Sequence, residues 1–147
     1  MKISHTTLKI RTNKELEILD LTEKVQSFVN QSGIKDGLVN IHSLHTTAVV
    51  FTQENEPLLW QDIKNYLNKI APQETEYNHD DFKRRTVNMC DDECRNGHSH
   101  CKAMSLPSSV TLNLIGGKVQ LGQWKRILFI ELDRARERKV QVQVLGE

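Results

Sequence analysis

The stretch Asn88–Leu106, NMCDDECRNGHSHCKAMSL, divides the chain. Residues before it mix helical and strand periodicities, whereas residues after it read only as strands. The same stretch holds all three cysteines and two of the six histidines. Thiols and imidazoles at this density point to metal binding, redox chemistry or catalysis.

Beyond it, from Ser108, Val110, Leu112 and Leu114 alternate up to Gly116-Gly117, a two-residue hairpin signal, and Val119 and Leu121 continue on the return. Ile127–Asp133 follows, with Leu128, Ile130 and Leu132 on one face and Phe129, Glu131 and Asp133 on the other. Val140, Val142 and Val144 form the last strand.

Towards the N-terminus, Ile3–Arg11 and Glu15–Leu19 read as strands. Asp20–Gln31 reads as a helix, with Leu21, Val25, Phe28 and Val29 as its apolar stripe, Asp20 and Glu23 as a capping box, and Gly33 as the C-terminal cap. Leu38–Phe51 is a strand pattern broken at His45-Thr46-Thr47, so the apolar face through Val39 and Ile41 ends in His45. A core histidine and an oriented, half-desolvated functional one are equally open readings there. Pro57–Ile70 reads as the second main helix, with Asp62 off its buried stripe, and Pro72 stops it. Gln73–Arg85 is polar, contains Tyr77-Asn78-His79-Asp80, and reads as a loop.

The 147 residues fit one domain, are 37% hydrophobic and 27% charged, and carry a net charge of +1. Near-neutrality gives no footprint for nucleic acid or an anionic membrane, and no apolar run is long enough to span a bilayer. The N-terminus lacks the apolar core of a signal peptide, so a cytoplasmic location with reduced thiols is expected. A bridge between Cys90 and Cys94, or Cys94 and Cys101, stays open as an alternative.

Four constellations carry chemistry. His98 and His100 would share one side of a strand, but on a helix they sit roughly 200° apart. Asn96 as N-cap, with His100, Ala103 and Met104 inward, predicts a short helix, which favours His100 over His98. The Cys90-x3-Cys94-x6-Cys101 spacing differs from the two-residue knuckle of structural zinc. His45, Glu54, Asp62, His79, Asp80 and His100 have the residue types of a divalent-metal or acid–base site. Arg134-x-Arg136-x-Arg138-Lys139 suits phosphate, a charged hairpin tip or a subunit-interface ion-pair cluster. There is no Walker loop and no Gly-x-Gly-x-x-Gly.

In order along the chain come His45-Thr46-Thr47-Ala48, Glu54-Asn55, Asp62, Tyr77-Asn78-His79-Asp80 and His100-x-Lys102. Leu121-Gly122-x-Trp124, Glu131-x-Asp133 and Gln143-Val144-Leu145-Gly146-Glu147 complete the set. From about Ile3 to Glu147 this resembles the YjbQ-like family of uncharacterised small proteins. The resemblance implies an α+β fold, β-sheet layers with two main helices packed on them, as one YjbQ-like domain over residues 1–147 assembled as a homotrimer. It also implies a site at subunit boundaries around His45, His79 and His100, holding a divalent metal: zinc first, magnesium as the alternative. Some members are linked to a secondary thiamine-phosphate synthase activity, which joins a pyrimidine methyl pyrophosphate to a thiazole phosphate and releases pyrophosphate. The chain departs from the family pattern at His98, where proline is frequent, at Lys125, where glutamine is frequent, and in its cysteine set.

The resulting expectation is a metal-dependent enzyme for a small phosphorylated substrate. His45, His79 and His100 would hold the metal, Glu54, Asp62 or Asp80 would orient ligands or act as base, and Lys102 would neutralise the leaving pyrophosphate. The alternatives are a non-catalytic homotrimer that binds metal or a small ligand, and a redox sensor using the cysteines.

Overall fold

A computed structural model describes residues 1–147. Its elements run β1 (Lys2–Arg11), β2 (Ile18–Asp20), α1 (Thr22–Ser32), β3 (Gly37–Ser43), β4 (Ala48–Glu54), α2 (Pro57–Ile70), α3 (Gly97–Ala103), β5 (Ser109–Ile115), β6 (Lys118–Val119), β7 (Lys125–Glu131) and β8 (Glu137–Gly146), with a single 3₁₀ turn at Asn78–Asp80. The α+β expectation holds. A five-stranded antiparallel sheet has the order β1-β8-β3-β5-β6, and a three-stranded one has the order β2-β7-β4.

Two apolar layers hold these sheets together. The first lies between the sheets, where Val39 and Ile41 of β3 and Val140, Val142 and Val144 of β8 meet Val50, Ile127 and Phe129, and α1 closes it with Val25 and Val29. The second lies on the far face of the small sheet, where Val49, Phe51, Leu128, Ile130 and Leu132 pack against Leu67 of α2 and the partly buried Trp60 and Ile63. Strand β7 is therefore covered on both faces, which explains its unbroken apolar run Ile127–Ile130. Strand β8, next in the chain but in the large sheet, alternates exposed and buried residues along most of its length, because only one face of that sheet is covered.

Local chemistry sets the boundaries. Pro57 opens α2, and the Glu56 carboxylate accepts from the Leu58 and Leu59 N–H groups. Helix α1 starts at Thr22, two residues later than expected, because Asp20 Oδ1 accepts from the Thr22 N–H and Asp20 itself pairs in β2. Gly116 and Gly117, at φ 57° and 78°, make the hairpin between β5 and β6. No helix is long and apolar enough to cross a membrane.

Candidate functional site

The end of β7 carries the chain's apolar alternation into charge. Glu131 is fully buried, and Arg138 on β8 engages both of its carboxylate oxygens, with Nε at 2.6 Å from Oε2. Thr12 donates to Oε2 at 2.9 Å and the Asp133 N–H to Oε1 at 3.0 Å. Two residues on, Asp133 is also buried and accepts from Asn96 Nδ2 at 3.2 Å. The Arg136 guanidinium is 3.7 Å away and the Cys94 thiol 3.8 Å.

Asn96 lies just ahead of α3, as its sequence predicts, but its side chain does not cap that helix. Asp80 does so from the 3₁₀ turn: Oδ1 accepts from the Asn96 N–H at 3.0 Å and the Gly97 N–H at 2.9 Å. The approach needs glycine, since a Cβ at Gly97 would fall 2.5 Å from Tyr77 Cβ. Asn96 Oδ1 is left buried without a partner. This long-range cap fixes α3 against the 3₁₀ turn and brings His100 to His79, with ring centroids 4.5 Å apart and planes tilted by 49°.

His79 Nδ1 is 3.4 Å from both Asp80 Oδ1 and Arg85 Nη1. Burial, with the neighbouring His79 and Arg85 adding to it, holds His100 below its ordinary pKa against the opposing pull of Asp133 and Asp80. His45 sits elsewhere, between β3 and β4, with Nε2 accepting from the Lys139 N–H at 2.7 Å. Burial is the first cause of its lowered pKa, and the Arg138 charge the next.

Several sequence expectations are corrected here. Of the predicted inward face of α3, Ala103 does pack against the core, but His100 is only half-buried and Met104 is largely exposed, and the buried side chains are His98, Ser99 and Lys102. Polar partners turn the helix: Lys102 Nζ donates to Glu15 at 3.0 Å and Asn68 at 2.8 Å, and His98 Nε2 lies 3.3 Å from Glu15. Lys102 is fully buried, with its ammonium held by Glu15 and Asn68 rather than turned to the imidazole pair. Glu54 lies at the exposed end of β4, beside an open cavity of about 420 Å³ lined by Gly122, Trp124 and Lys125. Asp62 is exposed on α2. Neither carboxylate contacts the imidazole pair, so Asp80 alone of the three joins it. All three cysteines are free.

Asp133, Asn96 and Arg85 are the residues that sequence reasoning left out of the site. Asp133 had a signal, a charge on the alternation of an otherwise apolar strand; Asn96 had none beyond its place at a helix start.

A metal centre is tested by its donors. In type they suit zinc, because His79 and His100 are adjacent imidazoles and His100 is held towards its neutral, ligating form. In number they do not, because no three His, Cys, Asp or Glu side chains of one chain converge into a set that could hold an ion. One chain offers at most part of a centre.

The family model described as "UPF0047 protein YjbQ-like" matches residues 6–147. A UPF0047 protein of Methanothermobacter thermautotrophicus is 35% identical over 147 residues, covering 100% of this chain and 95% of its own. One from Archaeoglobus fulgidus is 36% identical, over 94% of this chain and 98% of its own. Among solved structures, a YbjQ-like protein of unknown function from Sulfolobus solfataricus P2 superposes with a TM-score of 0.87 at 30% identity, over 99% of both chains. A hypothetical protein from Aeropyrum pernix K1 gives 0.80 at 32%, over 100% of both. With the fold shared over its whole length and the family model matching residues 6–147, this chain belongs to the YjbQ-like UPF0047 family.

Proposed function

We propose that the chain is an enzyme acting on a small phosphorylated substrate at the His79–His100 pair, completed by a second copy of itself in a homotrimer. The observation that carries this reading is the pair itself, two imidazoles 4.5 Å apart inside a cluster of carboxylates and guanidiniums. A structural histidine in this chain looks different: His98 is buried against Glu15 and Ser99.

The roles follow from the geometry. A neutral His100 offers one ring lone pair near neutral pH, to a metal ion or, where none is bound, to a proton from water or a substrate hydroxyl. With the His79 proton on Nδ1, Asp80 accepts it, orients the ring and leaves Nε2 for chemistry. Arg85 supplies positive charge beside the same ring, where a phosphate group would be neutralised. His45 has Nε2 occupied by a backbone N–H, so it would offer Nδ1. Being placed apart in its own chain, it would join the pair from a neighbouring copy. A divalent ion held by the three imidazoles, zinc by donor type, would polarise a phosphate oxygen or activate water. Thiamine-phosphate synthesis, with its departing pyrophosphate, is the reaction to assay first.

Two experiments test the reading. His79→Ala and His100→Ala should each lower turnover by about 100-fold or more while leaving the oligomer mass unchanged. Mixed trimers of His45→Ala and His100→Ala chains should regain part of the activity, because some boundaries then combine intact residues from two copies. Retained turnover in both single variants sinks the catalytic reading. Zinc content that depends on the three histidines, with no turnover in the wild type, leaves a non-catalytic metal-binding trimer.

A further inference from the structure

Arg85 beside the imidazole pair, and Arg134 and Arg136 after Asp133, are already occupied by one short segment of the chain. Residues 86–95 contain no helix or strand, and they lie across Arg85, Arg134 and Arg136. Glu93 Oε1 is 3.3 Å from Arg85 Nη1, and the Asn88 carbonyl accepts from Arg85 Nη2 at 2.7 Å. Asp92 Oδ2 accepts from Arg134 Nη2 at 3.0 Å and lies 3.8 Å from Arg136 Nη2, while the Asp92 carbonyl also accepts from Arg134. One carboxylate is thus shared by two guanidinium groups, the arrangement a phosphate group would take with both forks.

We infer that residues 86–95 form an anionic strap whose Asp92 and Glu93 occupy the guanidinium site meant for the phosphate groups of a ligand, so that ligand binding displaces the strap. The inference rests on the proposed phosphorylated substrate and adds what regulates access to it.

Three observations make the strap displaceable. The Asp92 side chain is 78% exposed, so its ion pairs are screened by water and weak. Val87 and Met89 are exposed, so no apolar burial fastens the segment. Two of the guanidiniums underneath keep a partner outside the strap when it leaves: Arg136 is near the buried Asp133 and Arg85 is beside His79. Arg134 and Arg136 are about a third exposed, within reach of an incoming anion. A phosphate group brings more charge and three acceptor oxygens against one carboxylate, so it wins the exchange where a monocarboxylate would not. The strap is thereby a filter for multiply charged ligands as well as a cover.

The test is calorimetric titration of the full chain with inorganic pyrophosphate at low ionic strength, comparing wild type, D92N/E93Q and R134Q/R136Q, with melting temperatures to verify folding. Removing the competing carboxylates should tighten binding by about fivefold, and removing the two guanidiniums should weaken it by at least as much. Equal affinity of wild type and D92N/E93Q overturns the strap, as does an absence of pyrophosphate binding in both. The catalytic reading fails separately, when His79→Ala and His100→Ala keep their turnover, and neither result decides the other.

Discussion

Two polar clusters meet at the end of β7, and they are built differently. Around Glu131 everything is closed: carboxylate and guanidinium are both buried, two hydrogen-bonding groups besides Arg138 engage the carboxylate, and Arg138 also reaches Thr47. Around Asp133, two residues away, contacts are longer, Asn96 Oδ1 has no partner, and the imidazole pair keeps partial access to water. The first cluster ties β8 to β7 and β1 through the core. The second keeps a buried amide oxygen without a partner beside half-buried imidazoles, the incompleteness that the proposed site needs. Burial of charge in this chain is therefore not evidence of function; unfinished coordination is the better sign.

The sharpest way to break the comparison is to open the closed cluster. Arg138→Met strands the Glu131 charge in the core and should cost about 3–5 kcal/mol in urea unfolding. Adding Glu131→Gln to it should recover a large part of that loss, because the buried charge is then gone. A cost under about 1 kcal/mol for Arg138→Met would show that Glu131 reaches water, and the contrast between the clusters would fail. Lys102→Met is the next step down. It frees Glu15 and Asn68, both partly exposed, so the expected cost is about 1–3 kcal/mol. Turnover at the imidazole pair should stay within about twofold of wild type, since the ammonium faces away from it. A loss of activity larger than the loss of stability would return Lys102 to the site.

The sequence made the scaffold legible where neighbours in the chain decide structure. Pro57 and the Leu59-to-Ile70 stripe set the bounds of α2, and Gly116-Gly117 set the hairpin. On α3 it found the helix and the inward Ala103 but not the rest of the buried face, because short helices have no strong stripe of their own. Met104 argued for burial by its apolarity, while Glu15 and Asn68, far away in sequence, draw Lys102 in instead. The meeting of His79 with His100 was beyond pattern reading for the same reason, because it depends on Asp80 capping a helix that starts at Gly97. The family resemblance named both histidines without supplying that contact. Glu131 and Asp133 could be read as carboxylates on one strand face, but not as one closed and one open cluster, since that difference lies in β8 and in Asn96.

The smallest effect, and the most specific to the open cluster, is pH. Burial lowers the pKa of His100 below its ordinary 6.5, with His79 and Arg85 adding to the shift. The folded chain then takes up the His100 proton at a lower pH than the unfolded chain does. Stability from this residue is fully present above about 6.5 and declines as pH falls through the folded-state value, where the unfolded state binds more protons. His45 is shifted the same way, so it adds to the slope. Urea unfolding between pH 7.5 and 5 should show this decline, and His100→Gln should flatten part of it while leaving the stability at pH 7.5 within about 1 kcal/mol of wild type. If the two slopes coincide, His100 is solvated like any surface imidazole. The open cluster would then lose the neutral base on which its proposed chemistry depends.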